Sequence, residues 1–298
     1  AKTAPPKFNC AKTDDNMLKL MKAYDSDAYY ILWTQKNNGD SFSSWMSGRK
    51  RLADAADVTT HEEFHSYTYT NAEYNEDGIN YAFYVGNKKT IYVPKTYVFD
   101  SYKATKSIPK KYRTFRYKDY VGKGSELSSN VDGVYGLLNE FTAYSWGMHA
   151  NNSLYSYYKK NVKNASGWQP YVSSYINNRN AYAEFYYFTL VYLQYAKKNN
   201  PTVYNDIMNN KNYVITFNKV QTNYEKYIKS GEKNMDKICL KYNGKKFKKS
   251  YKKGIVWLGR VGYGSTDDYS KLIKQIKSSK YKTVRNAIKS KAKKYSKN

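Results

Sequence analysis

The sequence has no apolar run of the roughly 18 residues that a helix needs to cross a bilayer. Its longest aromatic and apolar stretch covers residues 181–196 and is interrupted by Glu184, Thr189 and Gln194. This interruption favours a buried helix over a membrane span, so we expect no transmembrane segment.

Cysteine is scarce as well, because Cys10 and Cys239 are the only two. They form no C-x-x-C pair, which excludes a close-spaced cysteine metal site. They could form one long-range disulfide in a secreted protein or remain two separate thiols, and their spacing leaves both alternatives open. The chain begins at Ala1 rather than at Met, which fits removal of a signal peptide, and we therefore expect a secreted or cell-surface protein.

Acidic residues are few, with 24 Asp and Glu against 51 Lys and Arg, and the net charge is +27. The imbalance is greatest in residues 241–298, which hold 19 basic residues and only Asp267 and Asp268 as acids. Such a field attracts polyanions such as nucleic acid or anionic cell-wall polymers, although a lysine-rich surface can also serve solubility alone. The low mean hydropathy of −0.87 does not indicate disorder, because the 36 tyrosines can bury their rings.

Histidine is also rare, and two of the three histidines stand in the segment His61-Glu62-Glu63-Phe64-His65. Four residues apart on a helix, His61 and His65 present both imidazoles on one face, where they can share a zinc ion. Glu62 then lies beside the metal and can take a proton from water. A chance H-E-x-x-H in such a sequence has a probability on the order of one in a thousand.

This segment resembles the active-site helix of the zincin metallopeptidases. The resemblance implies a catalytic Zn²⁺, with His61 and His65 as ligands and Glu62 as general base. The residues Ser66-Tyr67-Thr68-Tyr69-Thr70 that follow lack the Gly and His of the metzincin pattern, which excludes that class.

Glu140 is the preferred third ligand, because the segment 139–144 (NEFTAY) resembles the second motif of the gluzincins. Those proteins carry an Asp four residues after the Glu, whereas Tyr144 stands here, so the partner that orients a zinc-bound histidine must come from elsewhere. Spacing supports Glu140 independently: it shares one predicted helix face with small residues that would let two helices approach, namely Gly133, Gly136, Ala143 and Gly147.

Two rivals for the third ligand are weaker. His149 lies nine residues after Glu140 and so faces the other side of a continuous helix. Asp267, in Gly264-Ser265-Thr266-Asp267, echoes the aspzincin pattern but lies about 200 residues from the histidines. A tyrosine or His149 could assist as a donor to the developing oxyanion, although composition does not single one out.

The apolar pattern predicts strands early in the chain and helices later. Thr60 stands three residues before Glu63, as in a capping box, although the helix with the histidines could begin earlier, near Leu52. The predicted helices cover 14–25, 61–67, 131–149, 153–162, 181–199, 201–210 and 214–229, with two basic amphipathic helices at the end of the chain. The predicted strands cover 28–34, a hairpin 79–85/90–99, a short strand within 103–118, a hairpin 238–242/245–251 and 255–264.

We therefore predict an α+β zincin-like domain of gluzincin type, composed of three segments that together form one catalytic unit. Residues 1–124 supply mixed α/β structure and the histidine helix, 125–235 supply a mainly helical part with Glu140, and 236–298 form a basic hairpin-plus-helices segment. The expected function is that of a secreted zinc metallopeptidase that cleaves protein or peptide substrates, with the 79–99 hairpin as a cleft wall or an edge strand for the peptide. The alternative is a basic protein that binds anionic polymers and whose metal site is incidental or inactive.

Overall fold

The computed structural model describes residues 4–252 and 254–297 and shows an α+β fold dominated by helices. The predicted α+β class is thus confirmed. The helices are α1 (Asp14–Tyr24), α2 (Ser26–Asn37), α3 (Ser43–Met46), α4 (Ala56–Thr70), α5 (Ser101–Thr105), α6 (Ser128–Val131), α7 (Gly133–Ser153), α8 (Tyr155–Asn161), α9 (Gln169–Asn199), α10 (Pro201–Asn209), α11 (Lys211–Asn243), α12 (Phe247–Ser250), α13 (Ser270–Lys277) and α14 (Lys282–Tyr295). The strands form two three-stranded antiparallel sheets, β1 (Glu73–Asn75), β2 (Gly78–Gly86) and β3 (Lys89–Pro94), then β4 (Tyr251–Lys252), β5 (Ile255–Leu258) and β6 (Val261–Gly264).

Helix α7 runs through the centre of the molecule and packs against α4, α9 and α11. Its residues from Gly133 to Met148 are all buried. The sequence explains this burial, because α7 contains no Lys, Arg or Asp, and a helix that is apolar on every side is stable only inside the protein. Glu140 is the single carboxylate of α7.

Helix α4 carries both histidines and begins at Ala56, after a 3-10 turn at Leu52–Ala55. The earlier start near Leu52 is therefore the correct alternative. Thr60 lies inside the helix and donates its hydroxyl hydrogen to the Ala56 carbonyl at 2.8 Å, so it forms no capping box.

The first sheet confirms the early hairpin and lies against α4. Strands β2 and β3 pair with Tyr84 opposite Thr90, and the turn places Asn87 and Lys88 at positive φ, as a type I′ turn requires. Phe83 of β2 contacts Phe64 of α4 inside the core.

The predicted strand 28–34 is wrong, because these residues belong to α2. Asp25 caps this helix, and its Oδ1 accepts from the backbone N–H groups of Asp27 and Ala28 at 3.1 and 3.0 Å. The aromatic residues favour a strand locally, but Ala28, Ile31, Leu32 and Gln35 are buried at helical spacing.

The predicted hairpin 238–251 is also wrong. Residues 238–242 form the last turns of α11, and Gly244, at φ 64°, ends that helix in the left-handed conformation instead of forming a hairpin turn. Most of 245–251 is the short helix α12, and 255–264 is a hairpin of β5 and β6 rather than one strand. Residues 103–118 contain helical turns and no strand.

The two basic helices at the end of the chain are confirmed as α13 and α14. They bury Leu272 and Ile276, then Val284 and Ile288, against the body of the protein. Buried side chains form one continuous core from Met17 to Ala292, so the three predicted segments share it.

Both cysteines are free thiols, so the structure supports the second alternative for Cys10 and Cys239. Within 4–252 and 254–297, no helix is both long enough and apolar enough to span a bilayer.

Candidate metal centre

His61 and His65 lie one turn apart on α4, with their Nε2 atoms 3.1 Å from each other. The spacing follows directly from their separation of four residues on a helix. His61 is buried and His65 is half-buried, so the pair is shielded from bulk solvent but reachable from one side.

Glu140 of α7 completes the group. Its Oε2 lies 3.6 Å from His61 Nε2 and 3.3 Å from His65 Nε2. Ligands about 2.1 Å from a tetrahedral zinc ion would lie about 3.4 Å from one another, so the three atoms fit that ion. Glu140 Oε2 is also buried and has no hydrogen-bond partner among the described residues, as expected of an oxygen that binds a cation.

The protonation of the two histidines differs. Burial, His65 and Arg116 lower the pKa of His61 well below its usual value, which keeps the imidazole neutral. Burial also lowers the pKa of His65, but the carboxylate of Glu140, the hydrogen bond with Asn139 and the charge of Glu62 together raise it to about 9. A metal ion would displace this proton, because only a neutral imidazole is a ligand.

Asn139 orients His65, a role that the sequence did not assign. Its Oδ1 is hydrogen-bonded to His65 Nδ1, and its Nδ2 donates to the hydroxyl of Thr68 at 2.9 Å. Such a bond places the imidazole proton on Nδ1 and leaves the lone pair of Nε2 free for a metal. The sequence feature that could have identified Asn139 is its position directly before Glu140, since consecutive residues of one helix can reach the same neighbouring helix.

The two adjacent glutamates of α4 have different surroundings. Glu62 is half-buried and lines a cavity beside the histidines; burial raises its pKa, His65 lowers it and Glu140 raises it. Glu63 is buried on another side and accepts a 3.0 Å hydrogen bond from Trp45 Nε1. Only Glu62 can therefore reach a reacting group at the centre.

Tyr144, which replaces the expected Asp, packs its ring against His61 with 4.3 Å between ring centroids. Its hydroxyl lies 2.8 Å from that of Tyr120 and accepts a 3.0 Å bond from Arg116 Nε. Arg116 is held in turn by Glu184, with 2.7 Å between Nη1 and Oε1. A buried cation thus polarises two phenols next to the histidines.

A cavity of about 380 Å³ opens beside this centre. His61, Glu62, Tyr120 and Tyr144 line one part of it, and Arg49, Asp54, the start of α4 and α9 line the rest. No described residue of the 79–99 hairpin lines this cavity, so the hairpin does not form its wall.

The outer edge of that hairpin is occupied. The Tyr92 and Pro94 carbonyls of β3 accept hydrogen bonds from the side chains of Asn212 and Asn210, both at 2.7 Å. These carbonyls are therefore not free to pair with an extended peptide.

The two rival ligands lie elsewhere. His149 Nδ1 is 2.7 Å from Asp25 Oδ2. Asp267 accepts a 2.9 Å bond from the backbone N–H of Phe115. Neither residue belongs to the group formed by His61, His65 and Glu140.

Comparisons of the chain with protein-family models, curated proteins and solved structures found no match. A functional proposal for this chain therefore rests on the geometry of its own residues.

Proposed function

We propose that this protein is a zinc-dependent peptidase of gluzincin type, with His61, His65 and Glu140 as zinc ligands. The observation that carries the proposal is the buried Oε2 of Glu140, which has no hydrogen-bond partner in the described chain and lies 3.3–3.6 Å from both imidazole nitrogens. Three protein ligands leave a fourth tetrahedral position open, which is the arrangement of catalytic rather than structural zinc sites.

Zinc, when bound, supplies a Lewis acid for the scissile carbonyl and lowers the pKa of a water molecule towards roughly 7. Glu62 stands next to His61 on the cavity side, and we assign it the transfer of a proton from that water to the leaving amine. Its raised pKa suits a group that both accepts and donates a proton near neutral pH.

Tyr120 is the best-placed oxyanion donor. Its half-buried hydroxyl lies at the cavity wall and is paired with the Tyr144 hydroxyl, which receives a hydrogen bond from Arg116. The cation favours an orientation in which the Tyr120 hydroxyl can donate into the cavity. Tyr144 and Arg116 are positioning residues in this scheme. Secretion and a protein or peptide substrate remain predictions of the sequence.

The deciding experiment combines metal analysis with a generic protease assay. We expect about one zinc ion per chain by this assignment, turnover that a chelator abolishes and zinc restores, and loss of turnover in Glu62→Gln. Glu63→Gln is the matched control, because it changes the neighbouring glutamate, which does not face the cavity. Zinc-loaded protein without turnover, or equal loss in both variants, would contradict the proposal.

A second candidate function is binding of an anionic polymer through the basic segment 236–298. Within the described part of that segment, Lys248 is the only lysine that forms an ion pair, with Glu232 at 3.5 Å, so the remaining positive charge is not neutralised by the protein. Binding to a polyanion such as heparin or teichoic acid should then weaken steeply with salt and be unaffected by Glu62→Gln or by a chelator.

A further inference from the structure

We propose that the cavity beside the metal centre binds a primary ammonium group of the substrate, with the carboxylate of Asp57 as its counter-ion. This inference rests on the proposed peptidase function and names a chemical feature of its substrate. The ammonium could be the free amino terminus of a peptide or the side chain of a lysine.

Asp57 stands in register with the metal ligands. It precedes His61 by four residues on α4, so its side chain lies on the same helix face, one turn away, with Cβ atoms about 5–6 Å apart. Both residues line the cavity, and Asp57 is half-buried, which leaves its carboxylate reachable from the cavity. A substrate group on Asp57 would thus lie within one residue's length of the metal.

The carboxylate of Asp57 forms no ion pair within 4 Å among residues 4–252 and 254–297, and Arg49, which lines the same cavity, is the nearest cation that acts on it from the cavity side. Asn178 Nδ2 donates to its Oδ2 at 2.9 Å, and Ser174 is a second hydrogen-bonding neighbour. Burial raises its pKa to about 6, while the hydrogen bonds with Asn178 and Ser174 and the charges of Arg49 and Arg116 limit that rise. A partly desolvated carboxylate in this position gains free energy when a cation binds.

The carboxylate of Asp54, which lines the same cavity, already has a cation and a hydrogen-bond donor as partners. It forms an ion pair with Arg51 at 3.0 Å and accepts a 2.5 Å hydrogen bond from the Tyr158 hydroxyl. The charge of Asp54 is therefore compensated by Arg51, whereas Asp57 forms no such ion pair within the described chain.

A second oxygen without a hydrogen-bond partner lies next to Asp57. The side chain of Asn178 is fully buried, and its Oδ1 has no hydrogen-bond partner among the described residues. Asn178 lies directly beside Asp57, because its Nδ2 donates the 2.9 Å hydrogen bond to Asp57 Oδ2, and both residues line the cavity. An ammonium carries three N–H donors and no acceptor, so it matches a carboxylate beside an unpaired amide oxygen.

The test uses zinc-loaded wild-type protein and four peptides of one sequence. They carry either a free or an acetylated amino terminus, and either lysine or norleucine at one position. We expect kcat/KM to fall about 30-fold or more when the recognised ammonium is removed. Sensitivity to acetylation identifies the amino terminus, and sensitivity to norleucine identifies the lysine side chain.

Asp57→Asn should remove this preference while conserving volume, lowering kcat/KM for the ammonium peptide and leaving that for the neutral peptide within about threefold. Ser173→Ala, on the same cavity wall, is the control variant and should keep the preference. Titration calorimetry of the same peptides with zinc-loaded Glu62→Gln gives an equilibrium readout that needs no turnover.

The outcomes are separable. If wild-type protein cleaves all four peptides equally well, the ammonium site is wrong and the peptidase proposal stands. If no peptide is cleaved but calorimetry shows tighter binding of the ammonium peptide that Asp57→Asn abolishes, the peptidase proposal is wrong and the ammonium site stands. Equal binding of all four peptides would also overturn the ammonium site. If the Asp57→Asn variant does not fold, the comparison of the four peptides with wild-type protein still tests the ammonium site.

Discussion

The Nδ1 atom of His65 is hydrogen-bonded to Oδ1 of Asn139, the residue that directly precedes Glu140. One helix therefore provides both a proposed metal ligand, Glu140, and the group that orients the imidazole of His65 on the neighbouring helix. Such outer partners fix the tautomer of a ligating histidine and increase its basicity.

Replacing Asn139 should weaken the metal site without removing a ligand. We expect Asn139→Ala to lower zinc affinity about 10–100-fold, measured by competition with a chromophoric chelator. Thr68→Val removes only the anchor of Asn139 and should cost less. Unchanged affinity in a folded Asn139→Ala protein would mean that the contact with His65 does not tune the metal.

Tyr120→Phe tests the assignment of the oxyanion donor. Loss of one such donor costs about 10²–10³ in kcat, and we expect KM to change little because the bond strengthens in the transition state. Zinc content should be unchanged. Tyr144→Phe should have a smaller effect, because it removes the partner of Tyr120 and not the donor itself, and full activity of Tyr120→Phe would exclude the role.

The sequence identifies some residues of the candidate site, whereas others reach the site only through tertiary packing. His61, Glu62 and His65 were predicted from the H-E-x-x-H motif, and Glu140 from its resemblance to the second gluzincin motif and its place on a helix face of small residues. The structure brings His61, His65 and Glu140 together. Tyr120 and Arg116 gave no local signal, since they meet Tyr144 only through tertiary packing, and composition could not choose among 36 tyrosines.

Errors in the fold prediction have a common physical cause. The segment 28–34 is rich in residues with strand propensity, yet the cap at Asp25 and one-sided burial make it helical. At Asn243-Gly244 the left-handed glycine serves a helix end, although the same dipeptide is typical of a hairpin turn. In both places tertiary context outweighs a local preference.

Metal removal should destabilise the fold, because the ligands belong to two helices that lie far apart in the sequence. Free zinc at 100 times its dissociation constant would stabilise the native state by about 2.7 kcal/mol. We expect a chelator to lower the melting temperature and zinc to restore it. Glu140→Gln should reduce this response strongly, and an identical response in that variant would remove Glu140 from the ligand set.

His149 should make stability depend on pH. Burial lowers its pKa, but Asp25, at 2.7 Å, and Asp27 raise it above its usual value, while Tyr227 of α11 packs against the ring. The ion pair is fully stabilising below pH about 6.5, the pKa of an unfolded histidine, and is lost as pH rises through the higher native pKa.

Urea unfolding of wild type and His149→Gln between pH 5.5 and 9 measures this effect, with chelator present in both. We expect the wild type to lose its stability advantage over the variant across the upper part of this range. A difference that stays constant with pH would show that the pair does not titrate there.

The close approach of Asp57 Oδ1 to Gly147 makes the position of this carboxylate depend on how α7 packs against α4. Any Cβ at position 147 would meet the Asp57 carboxylate at 2.1 Å, so a larger residue must displace either the helix or the carboxylate. A substitution at position 147 would therefore change the position of the Asp57 carboxylate and the packing of α7 against α4 together, and it would also affect Asn178 of α9, which is hydrogen-bonded to that carboxylate.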